Sequence, residues 1–160
     1  MKLKGLKDED FVNYKKPSMF LGTAYCDWKC CTEQNLDIAI CQNSSLASSE
    51  IIDIPVDELY HRYISNPITE AVVVGGLEPI MQISDVLDLI QIFRNNKCFD
   101  DFIIYTGYYP NEIKHLLKML KKYKNIIIKF GRYIPKQEKH YDKTLGVWLA
   151  SNNQWGEQIS

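Results

Sequence analysis

The chain has 160 residues, a formal net charge of −1 at pH 7, and 46% hydrophobic and 24% charged residues. These are ordinary values for one globular domain that is long enough to bury a core. A nearly neutral chain also lacks the strongly basic character that is typical of nucleic-acid-binding proteins. We therefore expect a single domain over residues 1–160 that does not bind nucleic acid.

The first sixteen residues are polar and charged, without the apolar segment of a signal peptide. No run in the chain approaches the ~20 apolar residues that a membrane-spanning helix needs. We therefore expect residues 1–16 to be a polar surface lead-in, and the protein to be soluble and cytoplasmic with no membrane partner. Thiols stay reduced in the cytoplasm, so clustered cysteines there indicate a metal site more than a disulfide framework.

Apolar runs alternate with stretches of helical periodicity along the rest of the chain. Four runs predict strands, at about 19–23, 71–74, 101–106 and 125–130. Three stretches predict helices that open near Pro55, Ser84 and Pro110, and two more segments, 51–54 and 145–149, are predicted to be extended. This alternation indicates βαβ units, too few for a closed eight-fold barrel. The predicted fold class is α/β, a partial (β/α) barrel with a mostly parallel open sheet, or otherwise an open doubly wound sheet.

Four of the five cysteines lie within sixteen residues after the first predicted strand: Cys26, Cys30, Cys31 and Cys41. Three thiolates from one loop can hold three irons of a [4Fe–4S] cluster and leave the fourth iron open, whereas four thiolates would close the site, as in structural zinc. Adjacent Cys30 and Cys31 point their side chains in different directions, so three effective ligands is the better count. The cysteine spacing alone leaves iron–sulfur and zinc comparable.

A second motif, Gly75-Gly76-Leu77-Glu78-Pro79, follows the second predicted strand. Glycines let the backbone approach a ligand closely and offer N–H groups, and a nearby carboxylate can bind an ammonium group. Backbone donors beside an acid suit a free amino acid, which carries both charges. An ordinary strand-to-helix turn also uses glycine and proline, so this motif gains its weight from the thiolate loop one β-unit earlier.

These segments resemble the radical S-adenosylmethionine superfamily, in which a cluster loop follows the first strand and a Gly-Gly-Glu-Pro motif follows the second. The closer similarity is to the small activating enzymes of anaerobic ribonucleotide reductases, which have a similar length. Three further segments extend the similarity over about residues 17–155: Cys41-Gln42-Asn43 resembles their Cys-Tyr-Asn, Tyr105-Thr106-Gly107-Tyr108 resembles their Tyr-Thr-Gly-Tyr, and residues 129–134 with 151–154 resemble their Asp-Gly-Pro-Phe and Gly-Ser-Ser-Asn-Gln.

The family motif Cys-x3-Cys-x2-Cys fits Cys26 and Cys30 but places Glu33 at its third position. We interpret the loop as enlarged, with Cys41 as third ligand; Cys31 as a ligand, or no cluster at all, are the alternatives. Leu77 is an insertion in the glycine motif, and the acid before Gly131 is missing. The resemblance thus implies cluster ligation by Cys26, Cys30 and Cys41, and S-adenosylmethionine contacts from Ile40, which would lie beside the adenine, and from Gln42, Gly75, Gly76, Glu78 and Thr106. The resemblance does not identify a catalytic side chain.

The resemblance also implies an activity, that of a glycyl-radical-enzyme activase. Reductive cleavage of S-adenosylmethionine on the open iron would give a 5′-deoxyadenosyl radical, which takes a hydrogen from a glycine of the anaerobic ribonucleotide reductase large subunit. An electron donor such as flavodoxin or ferredoxin would be a second partner, and an incomplete barrel would leave one side open for the polypeptide. The alternatives are a radical enzyme acting on a small molecule, similar to the 7-carboxy-7-deazaguanine synthases, and a non-catalytic zinc-binding interaction protein.

Overall fold

A computed structural model describes all residues, 1–160. It contains nine strands: β1 (Lys2–Asp10), β2 (Ser18–Thr23), β3 (Ile52–Asp53), β4 (Ala71–Gly76), β5 (Asp101–Tyr105), β6 (Ile126–Phe130), β7 (His140–Asp142), β8 (Val147–Leu149) and β9 (Trp155–Gln158). It contains five α-helices: α1 (Lys29–Thr32), α2 (Ser44–Ala47), α3 (Val56–Ile64), α4 (Ile83–Asn95) and α5 (Lys114–Leu120). Two 3₁₀ turns span Ile38–Ile40 and Pro79–Gln82.

Seven strands form one sheet in the order β3-β1-β2-β4-β5-β6-β9, and β7 pairs with β8 in a separate hairpin. The four strands predicted from sequence, β2, β4, β5 and β6, are adjacent and parallel. The outer strands pair antiparallel with this parallel centre or with each other. The parallel register brings the carboxyl ends of the four central strands to one edge of the sheet, where ligands bind in α/β folds.

Helices α3, α4 and α5 pack on the same face of the sheet. Their buried side chains, among them Leu59, Phe93 and Leu120, share one core with the strand residues Val74 and Ile104. The opposite face carries a smaller core, formed mainly by strand residues and by the segments around Tyr14 and Leu145. The three longer helices thus lie on one face, whereas a doubly wound sheet carries such helices on both faces. Closure into a partial barrel stays a prediction. No helix combines the length and the apolar character needed to cross a bilayer.

The prediction of an N-terminal surface lead-in is wrong for most of that segment. Residues Lys2–Asp10 form β1, which pairs antiparallel with β2 and also with β3. Leu3 is fully buried, and the amino group of Met1 donates to the Ile54 carbonyl at 2.7 Å. The segment is rich in charge because a strand near a sheet edge needs few apolar side chains when main-chain hydrogen bonds hold it in place.

The remaining differences are local. Helix α5 starts at Lys114 and not near Pro110, because residues 110–113 form turns in which Glu112 Oε2 accepts the Tyr109 amide at 2.8 Å. Ser84 is not a cap, since α4 begins one residue earlier, at Ile83. The extended segment at 145–149 is confirmed as β8, and the short edge strand at 51–54 is confirmed as β3. Strand β9 was not predicted.

Candidate metal centre

A pocket of about 280 Å³ opens where the four parallel strands end. It lies at the carboxyl edge of the sheet, the position at which α/β folds bind ligands. Seven of the nine residues predicted as cluster ligands or cofactor contacts line it: Cys26, Cys30, Cys41, Gln42, Gly76, Glu78 and Thr106. The other two, Gly75 and Ile40, do not.

The cysteines reach the pocket from a loop that turns sharply after β2. Trp28 adopts a left-handed conformation, with φ of 57°, and its amide donates to Cys26 Sγ at 3.2 Å. Helix α1 then carries Cys30 and Cys31 on consecutive positions, with their sulfurs 3.8 Å apart. Only Cys30 of this pair lines the pocket, whereas Cys31 is 3% exposed and is not part of the pocket lining. Cys98 also lies outside the pocket.

The three pocket thiols differ in acidity. Burial raises the pKa of Cys26 to about 12. A hydrogen bond from the Cys30 thiol to Cys41 lowers the pKa of Cys41 to about 6, and the same bond, with burial, raises that of Cys30. Metal ligation requires deprotonated thiols, so cluster binding must release protons from at least Cys26 and Cys30 at neutral pH.

The donor set fits an iron–sulfur cluster better than a zinc ion. Structural zinc needs four ligands arranged closely around one ion. No group of three or more His, Cys, Asp or Glu side chains in the structure is arranged that way. Each thiolate of a cluster binds a different iron, so its ligands are spread over a larger volume. Three half-buried thiols around one pocket, with no fourth cysteine lining it, match a cluster with one open iron.

Glu78 is held rigidly at the floor of the pocket. The side chain is 5% exposed, and its carboxylate accepts three hydrogen bonds: from Thr106 Oγ1 at 2.8 Å, from the Gly107 amide at 2.9 Å and from the Ile80 amide at 3.1 Å. Burial raises the pKa of Glu78, and these three donors oppose that shift. A carboxylate offers about four acceptor positions, so one remains for a ligand. Thr106 therefore lines the pocket and also holds the Glu78 carboxylate by a hydrogen bond.

The two glycines of β4 have separate roles. Gly76 has a φ of +82°, and a Cβ there would lie 2.6 Å from Gly22 Cα, so only glycine fits this close approach of two strands. Gly75 lies in the strand, where its carbonyl accepts Thr23 Oγ1 at 2.9 Å. The amides of Leu77 and Glu78, which follow the two glycines, donate to the Thr23 and Tyr25 carbonyls respectively. The two amides that follow the glycines are therefore already occupied by protein carbonyls, and the predicted contact from the Gly75-Gly76 backbone itself stays a prediction.

The enlarged part of the cysteine loop brings some predicted contacts to the pocket and leaves others out. Gln42 lines the pocket next to Cys41. Asn43 Nδ2 donates to the Gly76 carbonyl at 2.5 Å, which ties this part of the loop to the glycine motif. Ile40 is exposed at the end of the 3₁₀ turn and is not brought to the pocket. Its predicted place beside an adenine therefore has no support in this arrangement.

Sequence reasoning missed two cations of the pocket, Lys129 and Arg132. Lys129 is almost fully buried on β6, and its Nζ donates to the Gly131 carbonyl at 2.8 Å. Burial lowers its pKa to about 8, and the nearby Glu78 opposes that shift. The only signal in the sequence was position, because both residues lie at the end of a predicted parallel strand, close to Gly131.

Arg132 connects the cysteine loop to the rest of the site. Its guanidinium binds both oxygens of Glu112, at 2.9 and 2.5 Å, and its Nε lies 2.9 Å from Glu33 Oε2. Lys29 Nζ lies 2.5 Å from Glu112 Oε1 and completes the network. Glu33, at the third position of the family spacing, therefore carries an ion pair. Glu33, directly after α1, thus forms an ion pair with Arg132, which follows β6. This ion pair holds the first half of the cysteine loop in place.

Glu112 gives this network a pH dependence. Hydrogen bonds from Arg132 and, more weakly, from Lys29 and the Tyr109 amide lower its pKa to about 2, against burial. A depressed folded-state pKa contributes stability that is present above the unfolded value of 4.5 and is lost as the pH falls towards 2. We expect Glu112→Gln to lower the free energy of unfolding by about 1–2 kcal/mol at pH 7. That deficit should shrink between pH 4.5 and 2.

Urea unfolding at a series of pH values measures this effect. Glu50→Gln is the matched control, because Glu50 is exposed and forms neither an ion pair nor a side-chain hydrogen bond. A deficit for Glu112→Gln that stays constant down to pH 2 would show that the carboxylate is not stabilised by its cations.

The comparison with known protein families agrees with this donor set. The family model described as "4Fe-4S single cluster domain" matches residues 17–155, which include the four parallel strands, the cysteine loop and all of the pocket lining except Val12 and Asn13. None of the curated proteins compared with the chain matches it. A match over 139 of 160 residues, from 17 to 155, shows family membership. The chain therefore belongs to the 4Fe-4S single cluster domain family and is an iron–sulfur protein.

Proposed function

We propose that this protein is a radical S-adenosylmethionine enzyme, and that it activates a glycyl-radical enzyme of the anaerobic ribonucleotide reductase type. The observation that carries the proposal is the composition of one pocket, which holds three thiols, not four, beside a buried acid and a buried cation. Three thiolates would leave one iron open to a second ligand. The buried acid and the buried cation then indicate which charged groups that second ligand has.

The buried charges are complementary to a free amino acid. Glu78 keeps one acceptor position for an ammonium group, and Lys129 is a cation for a carboxylate in the same pocket. S-adenosylmethionine contains such an amino-acid end, and with the reduced cluster it would supply a 5′-deoxyadenosyl radical for hydrogen abstraction. The protein's own part is to bind and orient the cofactor through Cys26, Cys30, Cys41 and these two charges.

The pocket also favours a large substrate over a small one. Its volume of about 280 Å³ lies just below the range for pockets that bind one ligand, about 300–1,000 Å³, so little room is left beside a cofactor. Val12 and Trp148 line its opening, and each is 69% exposed. Exposed apolar side chains at a pocket rim are typical of surfaces that meet another protein. A glycine-bearing loop of a reductase is a fitting substrate, with flavodoxin or ferredoxin as electron donor.

Electron paramagnetic resonance tests this function. The protein is reconstituted anaerobically with iron and sulfide, reduced, and measured with and without S-adenosylmethionine. We expect a [4Fe–4S]⁺ signal whose g-values change when S-adenosylmethionine is added. Glu78→Gln removes the negative charge with little change of shape and should keep the cluster signal. About tenfold more S-adenosylmethionine should then be needed for the same change of the signal, because one charged hydrogen bond is lost.

Cys98→Ala is the matched control, because Cys98 lies outside the pocket, and its spectra should equal those of the unmodified protein. A cluster signal that ignores S-adenosylmethionine would leave an electron carrier and reject the radical enzyme. Tightly bound zinc without any cluster signal would reject the iron–sulfur function as well.

A further inference from the structure

Leu46, in helix α2, is seated on a floor of three glycines from three neighbouring strands. A Cβ added to Gly5 of β1, Gly22 of β2 or Gly76 of β4 would lie 3.1, 3.3 or 2.9 Å from a Leu46 methyl carbon. Gly5 is paired with Gly22 in the sheet, and Gly22 is paired with Gly75, the residue before Gly76. A Cβ added at Gly76 would lie only 2.6 Å from Gly22 Cα, so these two glycines also approach each other closely. The missing side chains thus form one shallow depression on the sheet, and Leu46 fills it.

Polar contacts fix the chain on both sides of this seat. Before Leu46, the Asn43 side chain donates to the Gly76 carbonyl. After it, Lys4 Nζ donates to the carbonyls of Ala47 and Ser49, the second at 2.9 Å. Residues 43–49 are therefore held against β1, β2 and β4, although their composition resembles that of a free surface loop.

The stretch before Cys41 gives it no comparable support. Residues 37–40 are all exposed, and Asp37 accepts only local hydrogen bonds, from the Ala39 amide on its side chain and from the Ile40 amide on its carbonyl. Cys41 precedes Asn43 by two residues, so the seated segment that follows is what fixes its position. The arrangement matters because the sequence places Cys41 ten residues beyond Cys31, outside the usual spacing of the family.

We propose that Leu46 is a positioning residue for the third thiolate, and that Gly5 and Gly22 are glycines in order to receive it. The inference rests on the proposed ligation by Cys41. Leu46 contacts no reacting atom; it holds residues 43–49 on the sheet so that Cys41 lines the same pocket as Cys26 and Cys30. Gly76 belongs to the same floor, which couples the glycine motif to the seat of the loop.

Alkylation of the iron-free protein tests this role without cofactor or activity. Iodoacetamide modification of Cys41, Cys26 and Cys98 is followed over time by mass spectrometry of the peptides. Because iodoacetamide reacts with the thiolate, each rate is divided by the thiolate fraction taken from that cysteine's own pH profile. In Leu46→Ala this thiolate rate at Cys41 should rise about tenfold relative to Cys26, because losing most of a partly buried leucine frees the segment locally. Leu46→Met should restore the ratio. Ile38→Ala, an exposed apolar residue of the same loop, should leave it unchanged.

A second variant, Gly5→Ala, changes the contact of Leu46 with the sheet from a residue that is distant from Leu46 in the sequence. The nearest atom to a Cβ at Gly5 is Leu46 Cδ1, with no other atom within 4 Å, and Gly5 has no positive φ. Gly5→Ala should therefore displace Leu46 alone and raise the same Cys41 rate, but have no added effect in a Leu46→Ala background.

The outcomes separate this inference from the proposed function. Equal acceleration at Cys41, Cys26 and Cys98 would show general unfolding and overturn the positioning role, as would an unchanged ratio in Leu46→Ala. Additive effects of Gly5→Ala and Leu46→Ala would also overturn it. A failed response to S-adenosylmethionine in the spectroscopic test would leave these alkylation ratios unaffected, since they need neither the cluster nor the cofactor.

Discussion

Cys41→Ala is expected to abolish stable cluster binding, whereas Cys31→Ala should retain it. Cys41 lines the pocket with Cys26 and Cys30, while Cys31 is buried and does not line it. Loss of a residue that only supports a metal ligand weakens metal binding by about 10–100-fold, and loss of a ligand itself should exceed that. Iron and sulfide per chain, together with the absorbance of the reconstituted protein, measure the difference.

The two cysteine variants serve as controls for each other. Cys31 is the more deeply buried of the two, so Cys31→Ala should cost more stability than Cys41→Ala while costing less iron. If Cys31→Ala is the less stable variant and Cys41→Ala is the variant with less iron, the effect of packing is separated from the effect of ligation. Full iron in Cys41→Ala and none in Cys31→Ala would make Cys31 the third ligand and would reject the enlarged-loop interpretation.

Gly76→Ala is expected to lower the free energy of unfolding by about 2–5 kcal/mol, from a left-handed backbone conformation and from overpacking together. Gly76 has a φ of +82°, and an added Cβ would lie 2.6 Å from Gly22 Cα, a backbone atom that cannot rotate away. The stability of a single domain is about 5–15 kcal/mol, so this is a large fraction of it. Urea unfolding followed by circular dichroism measures the change.

Gly107→Ala is the matched control for that substitution. Its added Cβ would meet nothing closer than Glu78 Oε2 at 3.5 Å, an ordinary contact distance, and its φ is not positive. We expect a change within about 1 kcal/mol, in line with surface substitutions away from strained positions. Equal costs at the two positions would mean that the contact between β2 and β4 at Gly76 is looser than this structure shows.

Much of the parallel centre could be predicted from the sequence. Continuous apolar, β-branched runs such as Ala71–Val74 predict strands buried on both faces, and helical spacing of leucines predicts the helices between them. Because parallel strands end at one edge, the sequence order alone also places Cys26, Gly76 and Thr106 together. These features depend on patterns within ten or fifteen residues, and such patterns are visible in a linear sequence.

The outer strands were not visible in that way. Strand β1 is rich in charge, and β9 is short, so each is held by pairing with a distant strand more than by its own apolar residues. Local periodicity carries no signal for such pairing. The sequence therefore predicts a polar lead-in at residues 1–16, where the structure has strand β1 over Lys2–Asp10.

The sequence by itself determined which chemistry the protein carries: a thiolate loop, a glycine motif with an acid, and strands that bring them to one edge. Only the tertiary structure decided which of Cys30 and Cys31 lines the pocket, that Arg132 holds Glu112 and Glu33, and that Leu46 rests on three glycines. The physical reason is range. Residue type and spacing are local properties, whereas these arrangements depend on contacts between residues that are tens of positions apart. Such contacts stabilise the protein only once the sheet has formed.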